Sequence, residues 1–360
     1  MLSCFTLHRH APLHWRQRLA VAYLQSERVS FPTRVVRWLV RRTPTGAAIR
    51  QHCSKSKLPL TSVALGPETT KHHPDHDGPP PTLHFVTPPD AHPDGPTLLY
   101  FHGGGYVSPL RSKAHMPFIL ACAAASRSRE VAILEYHLAP EHRYPVQLVQ
   151  CLASVRYLLE VSNVPASKII LAGDSAGGQL VGAVLAHIAK PCPYAPALSI
   201  AGDRFKAALL VSPFTRLPSD TGSYATNDGK DFLNRAQVDE FKAAWGPKDD
   251  DVWANMCGPE VETALWEGVF AGEGRLVDKL MVTVGTAEIF LDDCRVFAKE
   301  HVHAETVVVN GRKDVGDVKG KSLVLVECEG EVHVQVALDA AVGYKNGTMM
   351  RAVMAWLAEI

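Results

Sequence analysis

The apolar stretch Lys168-Ile169-Ile170-Leu171-Ala172 runs without a spacer into Gly173-Asp174-Ser175-Ala176-Gly177-Gly178, and that junction limits what the chain can build more than any other. A strand followed at once by a small-residue turn and a helical pattern has to reverse sharply. Glycines at 173 and 177 permit the close backbone approach that such a turn requires. Ser175 then sits at its tip. A serine hydroxyl has almost no anionic character near neutral pH, so attack on a carbonyl needs exposure, a nearby base and donors for the developing oxyanion. The junction predicts a nucleophile elbow. Gly-x-Ser-x-Gly also arises in ordinary Gly/Ser turns, so the motif needs support from elsewhere in the chain.

Support comes from Leu98-Leu99-Tyr100-Phe101-His102-Gly103-Gly104-Gly105-Tyr106. An apolar strand leading into three glycines presents backbone N–H groups that no side chain can shield, which is what an oxyanion hole needs. From Thr82 onward apolar strands alternate with helical stretches, the βαβ pattern of a mostly parallel sheet. Strands are predicted at Thr82 to Val86, Thr97 to Phe101, Val131 to Tyr136, Ile169 to Ala172, Ala207 to Ser212, Leu280 to Val284 and Leu323 to Glu327, and helices at Met116 to Ser126, Pro145 to Val161, Gly178 to Ala189, Phe290 to Glu300 and Gly347 to Ala358. Ser175 and the glycine loop then fall at carboxyl ends of parallel strands, where open α/β sheets place their sites. The stretch from about 214 to 274 interrupts the alternation. With Tyr224, Phe232, Phe241, Trp245, Trp253 and Trp266 it reads as a lid or pocket insertion.

With these motifs in place the chain resembles the hormone-sensitive-lipase-like branch of the α/β-hydrolases, in particular fungal-type esterases and steryl-acetate deacetylases. Three stretches carry the resemblance: His102 to Tyr106, Tyr136-His137-Leu138-Ala139-Pro140-Glu141 through Tyr144-Pro145, and Gly173 to Gly178. It covers roughly residues 95 to 359. His137 stands where the branch usually has Arg, and Gln179 where it often has Asn. The resemblance implies an α/β-hydrolase fold and a catalytic order of serine, acid, histidine. In the loop Gly285-Thr286-Ala287-Glu288-Ile289-Phe290-Leu291-Asp292-Asp293, matching the family pattern to Phe290 and Asp292 puts Glu288 at the acid's position, with Asp292 the alternative. After the last strand, Glu331-Val332-His333-Val334-Gln335 holds the histidine, His333, although the usual Gly-Phe after that residue is here Val334-Gln335. The implied chemistry is an acyl-serine mechanism: Ser175 attacks, His333 takes its proton, and Glu288 orients the imidazole. Gly103, Gly104 and Ala176 are expected to donate the oxyanion N–H groups, while His102, Asp174 and Glu141 are expected to shape the loops around them.

Composition fits one enzyme domain with an extension. The chain has 360 residues, 46% of them hydrophobic, enough for one large core. Lys and Arg number 37 against 37 acids, so nothing in the bulk charge calls for nucleic acid. The eight cysteines show no Cys-x-x-Cys pair and no zinc-like spacing with histidine, and read as buried free thiols in a reducing compartment. The Lys71 to Asp77 cluster of His and Asp reads as a solvated Pro-rich loop rather than a metal site. Neither metal nor organic cofactor is expected.

Charge is nevertheless uneven: residues 1–66 carry eleven Lys or Arg and one acid, Glu27. Helices are predicted at Leu13 to Gln25 and Phe31 to Arg42, the second with Arg34, Arg37 and Arg41 opposed to Val35, Val36, Leu39 and Val40. The preferred reading divides the chain into a basic cap extension, 1–66, and a hydrolase domain, 67–360. A helix lying on an anionic membrane and a mitochondrial transit peptide are the alternatives. No apolar run reaches 18 residues, and the protein is expected inside the cell, in the cytoplasm unless one of those two readings holds. The expected partner is a small or medium lipophilic ester. Two rival functions stand beside hydrolysis: acyl transfer or cyclisation in a biosynthetic pathway, and non-catalytic small-molecule reception on the same fold.

Overall fold

Alternate residues of the central strands turn to opposite faces, and both faces are apolar, so the sheet has to be covered on both sides. Leu99, Phe101, Leu171, Leu210 and Val282 point into one core, and Leu98, Tyr100, Ile170, Leu209 and Val326 into the other. Fully burying each such side chain contributes about 1.5–3 kcal/mol relative to leaving it exposed. The resulting structure, a computed structural model, describes residues 13–30, 43–66, 80–258, 261, 263–311 and 314–360. The basic helix expected at Phe31 to Arg42 and the His/Asp cluster at 71–77 lie outside the described residues.

Among the described residues nine strands form one sheet: β1 (Leu60–Ala64), β2 (Thr82–Val86), β3 (Thr97–Phe101), β4 (Glu130–Glu135), β5 (Ile169–Asp174), β6 (Ala207–Val211), β7 (Leu280–Gly285), β8 (Glu305–Val309) and β9 (Leu323–Cys328). Their order is β1-β2-β4-β3-β5-β6-β7-β9-β8. Pairing is parallel from β4 through β8, while β2 runs antiparallel to both β1 and β4. The expected α/β-hydrolase fold, mostly parallel and flanked by helices, is the fold observed.

On the first face lie α4 (Val146–Arg156), α5 (Ala176–Ala189), α8 (Thr263–Phe270) and α9 (Leu291–Val296). On the second lie α2 (Thr45–Ser56), α3 (His115–Ala125), α10 (Gln335–Ala341) and α11 (Thr348–Leu357). At the amino end α1 (Trp15–Ser30) packs against α10. Two short elements, α6 (Gly222–Thr226) and α7 (Arg235–Trp245), follow β6. The 214–274 stretch is therefore divided. Phe232 and Phe241 face the large cavity, whereas Trp266 of α8 is buried against Phe270 and Phe297 in the sheet's own core. Trp245 stacks on Tyr106 at 3.8 Å without lining the cavity.

Strands β1 and β8 and helices α2, α6, α7, α8 and α10 are not among the elements read from sequence. Both strands are sheet edges, half in solvent, and their apolar runs are short, none longer than Val307-Val308-Val309. Seven of the eight cysteines, from Cys53 to Cys328, are buried free thiols, and Cys4 lies outside the described residues. No helix of the described residues is long and apolar enough to cross a membrane.

Candidate active site

The turn after β5 closes as its glycines dictate. A Cβ on Gly173 would collide with the carbonyl of Gly177, and one on Gly177 with the carbonyl of Phe101. Ser175 takes φ 53° and ψ −119°, a costly conformation for a non-glycine residue. Its backbone is pinned on both sides: its N–H donates to the Val211 carbonyl at 2.8 Å, and its carbonyl accepts from Gln179 and Phe214, each at 3.1 Å. The hydroxyl is thereby projected away from the sheet.

Beyond β9 the loop brings His333 back over this turn, with Nε2 2.9 Å from Ser175 Oγ. On the other side of the ring Nδ1 lies 3.3 Å from Glu288 Oε1. The second carboxylate oxygen of Glu288 accepts from the Ser212 hydroxyl at 2.7 Å and the Gly285 N–H at 2.8 Å. All three residues are buried, and Phe290 stands edge-on to the imidazole at 4.9 Å. Burial pushes the imidazole toward neutrality, but the hydrogen bond and charge of Glu288, with Asp231 adding to them, hold its pKa above the ordinary 6.5. Asp292, the alternative acid, is turned elsewhere: it accepts the Ser223 N–H at 2.8 Å and pairs with Arg295.

The glycine loop requires a correction. Gly103 was expected to supply an oxyanion donor, but its N–H is already given to Asp174 Oδ1 at 3.0 Å. Gly104, Gly105 and Ala176 border the cavity beside Ser175, and their N–H groups have no protein acceptor among the described residues. Gly104 and Gly105 have φ of 115° and 60°, which explains why both are glycine. Asp174 also takes the Tyr100 hydroxyl at 2.6 Å and an ion pair with His115 at 3.4 Å. Burial opposes its charge, but these partners outweigh burial and hold its pKa below the usual range. His102 is stacked on Tyr136 at 4.4 Å, with Nδ1 at 2.7 Å from the Gly103 carbonyl and Nε2 at 3.2 Å from Thr45 Oγ1. Burial lowers its pKa to about 4, so it is a neutral brace for the loop.

Glu141, expected to shape the loop after β4, stands at its outer side. It is exposed and does not line the cavity. Two buried glutamines of α4 also hold its loop: Gln150 accepts the His137 N–H at 2.8 Å, and Gln147 donates to the His137 and His142 carbonyls. Gln179 accepts from Tyr106 Oη at 3.0 Å and donates to the Trp253 carbonyl at 2.6 Å, tying the glycine loop to the insertion.

Two residues near the triad were missed from sequence. The Ser212 hydroxyl joins Glu288 to the histidine loop, since it also accepts the Val334 N–H at 3.0 Å. Asp231, fully buried, accepts N–H groups from Phe232 at 2.7 Å, Ile289 at 3.0 Å and His333 at 3.4 Å. Burial raises its carboxyl to about 7; the His333 charge opposes that rise and the Glu288 charge adds to it. No motif marks either residue; the only signal for Ser212 is its place at the end of a predicted strand. Val334 stands where the family has glycine and adopts φ 45°, a left-handed conformation that disfavours a β-branched side chain.

Ser175, Ala176, Gly104, Gly105 and His333 open onto a cavity of about 820 Å³. Its walls are mostly apolar: Leu19, Tyr23, Phe214, Phe232, Phe241 and Leu338 among them. Residues 98–316, which hold the glycine loop, the elbow and the acid loop, match the family model described as alpha/beta hydrolase fold. The chain belongs to the alpha/beta hydrolase family. Similar relatives include an acetyl-hydrolase of Streptomyces hygroscopicus, 30% identical over 63% of this chain and 68% of its own. A versiconal hemiacetal acetate esterase of Emericella nidulans is 29% identical over 62% and 73%. Among solved structures, an esterase of the bacterial hormone-sensitive lipase family matches the fold with a TM-score of 0.64 at 21% identity, over 96% of this chain and 98% of that one. The cavity of this hydrolase-family chain meets Ser175 and His333 at the carboxyl ends of β5 and β9, beside the glycine loop that follows β3.

Proposed function

We propose that Ser175, His333 and Glu288 hydrolyse short-acyl esters of lipophilic alcohols through an acyl-serine intermediate. That the chain is a carboxylic ester hydrolase follows from its family and from relatives named as esterases and acetyl-hydrolases. The finer assignment rests above all on one observation, the unbroken line of contacts from Ser175 Oγ to His333 Nε2 and from His333 Nδ1 to Glu288 Oε1.

The mechanism follows from the atoms in that line. Ser175 Oγ forms a bond to the ester carbonyl carbon while its proton passes to His333 Nε2. The imidazolium is stabilised by Glu288, and the carbonyl oxygen becomes an oxyanion received by the N–H groups of Gly104, Gly105 and Ala176. On collapse the alcohol leaves with the proton from His333. Water then attacks the acyl-serine, gives its proton to the same nitrogen, and releases the acid and free Ser175.

The substrate class rests on the cavity and the relatives. A volume of about 820 Å³ lies in the range of drug-sized ligands, and its aromatic and aliphatic walls favour an apolar alcohol moiety. Two relatives act on acetyl groups by their names, which favours acetate as the acyl part. A panel of p-nitrophenyl esters from acetate to palmitate tests this. The expected profile peaks among the short acyl chains; a peak at palmitate would overturn the short-acyl assignment.

A further inference from the structure

Helix α1 has two unlike faces. Trp15, Leu19 and Tyr23 are exposed at intervals of four, and Leu19 and Tyr23 reach the cavity rim. Gln17, Val21 and Gln25, also four apart and hence stacked on one face, are buried. A helix that merely covers a pocket would bury aliphatic side chains on such a face. Here two of the three are amides.

Both amides donate into the body of the protein. Gln17 Nε2 donates to Glu331 Oε1 at 3.3 Å and Asp339 Oδ2 at 3.0 Å, while its oxygen accepts the His14 N–H at 2.9 Å. Gln25 Nε2 donates to the carbonyls of Gly229, Lys230 and Asp231 at 3.0–3.2 Å. Between them Val21 packs on Ala287 and Val332. Each anchor adjoins the triad. Ala287 precedes Glu288, Val332 precedes His333, Glu331 lies two residues before it, and the Asp231 carboxylate accepts the N–H groups of Ile289 and His333.

Glu331 and Asp339 form a buried acid pair, and burial drives both upward, to about 7 and about 8. A neutral amide is suited to bridge two such groups, since it donates to both without adding charge. Glu331 in turn accepts the N–H groups of Thr348 at 2.6 Å and Met349 at 2.8 Å, which fastens the loop to α11.

We propose that the Gln17–Val21–Gln25 face of α1 is a positioning surface for the triad: its docking fixes the loops that carry Glu288 and His333, so α1 governs turnover from behind the imidazole. The inference rests on the reading of Ser175, His333 and Glu288 as a working triad. With Nδ1 and Oε1 already 3.3 Å apart, a small loop shift breaks the acid–imidazole contact, and misplacement by about 1 Å costs about 100-fold in rate.

The test uses the full chain with Gln17→Met, Gln25→Met and Val21→Ala, assayed with p-nitrophenyl acetate across pH and checked by thermal melting. In variants that melt cooperatively, kcat is expected to fall about tenfold or more with KM within about twofold. The acid limb of kcat/KM should shift with it, because the imidazole loses its carboxylate contact. A higher KM at unchanged kcat, or no change in either, overturns the positioning surface. Gln25→Met leaves the acid pair intact and decides the matter if Gln17→Met does not fold; failure of both to fold overturns it in favour of a purely structural role. A parent protein whose Ser175 resists fluorophosphonate would overturn the triad reading itself, whereas a labelled parent with unaffected variants overturns only the role of α1.

Discussion

Replacing Glu288 by Gln removes one charge and almost no volume, and its consequence can be worked from the contacts. One carboxylate oxygen accepts from the Gly285 N–H at 2.8 Å and the Ser212 hydroxyl at 2.7 Å. A backbone N–H cannot rotate away, so the new amide has to place its oxygen there and its NH2 toward His333. Facing a donor, Nδ1 becomes the acceptor, and the ring proton moves to Nε2, 2.9 Å from Ser175 Oγ. The imidazole is then in the tautomer that cannot take the serine proton. The lost charge also leaves the developing imidazolium unsupported. A triad acid changed to its amide typically lowers turnover by about 10⁴, equivalent to about 5.4 kcal/mol of barrier. Stopped-flow or steady-state release of p-nitrophenol at neutral pH measures it, with thermal melting as the check on folding. Asp292→Asn is the control: it removes the half-exposed charge paired with Arg295 while its amide oxygen can still accept the Ser223 N–H, with an expected effect within about 1 kcal/mol on stability and little on turnover. Glu288→Gln within about tenfold of the parent, or Asp292→Asn the more damaging change, would refute the reasoning.

The pH dependence has a definite sign. Catalysis needs neutral His333, whose pKa is held above 6.5 by Glu288, so kcat/KM should fall on acidification through a value above 6.5; a pH–rate profile with its acid limb below that value contradicts the assigned contacts. Ser212→Ala removes the hydroxyl that serves both Glu288 and the Val334 N–H, leaving the latter buried and unpaired. It should cost about 1–3 kcal/mol of stability by denaturant titration and lower kcat more than it raises KM.

How much of this was legible in the chain follows the physics of each part. Buried strands such as β3 and β5 are continuous apolar runs and declare themselves, and so does the direction in which β5 meets its glycines. Edge strands do not. In β8 only Val307, Val308 and Val309 form an apolar run, a short one beside Asn310 and Gly311, and Val308 is 54% exposed at the sheet edge. Ser175, Glu288 and His333 stand out by motif and chain order, and the structure places them within reach of one another. Gly103 and Gly104 look alike in sequence; only the approach of the Asp174 carboxylate removes the first N–H from use. Asp231, Ser212 and the glutamines of α1 are ordinary polar residues locally. Their meaning comes from partners 58 to 322 positions away, which no local pattern encodes.

The most direct test of the central claim is covalent labelling of the serine. Incubation with a fluorophosphonate followed by intact-mass and peptide analysis should give one adduct, on Ser175, that forms more slowly as pH falls through the His333 pKa and is absent from Ser175→Ala. An unlabelled Ser175 in folded protein, or hydrolysis of p-nitrophenyl acetate by Ser175→Ala within about tenfold of the parent, would contradict it.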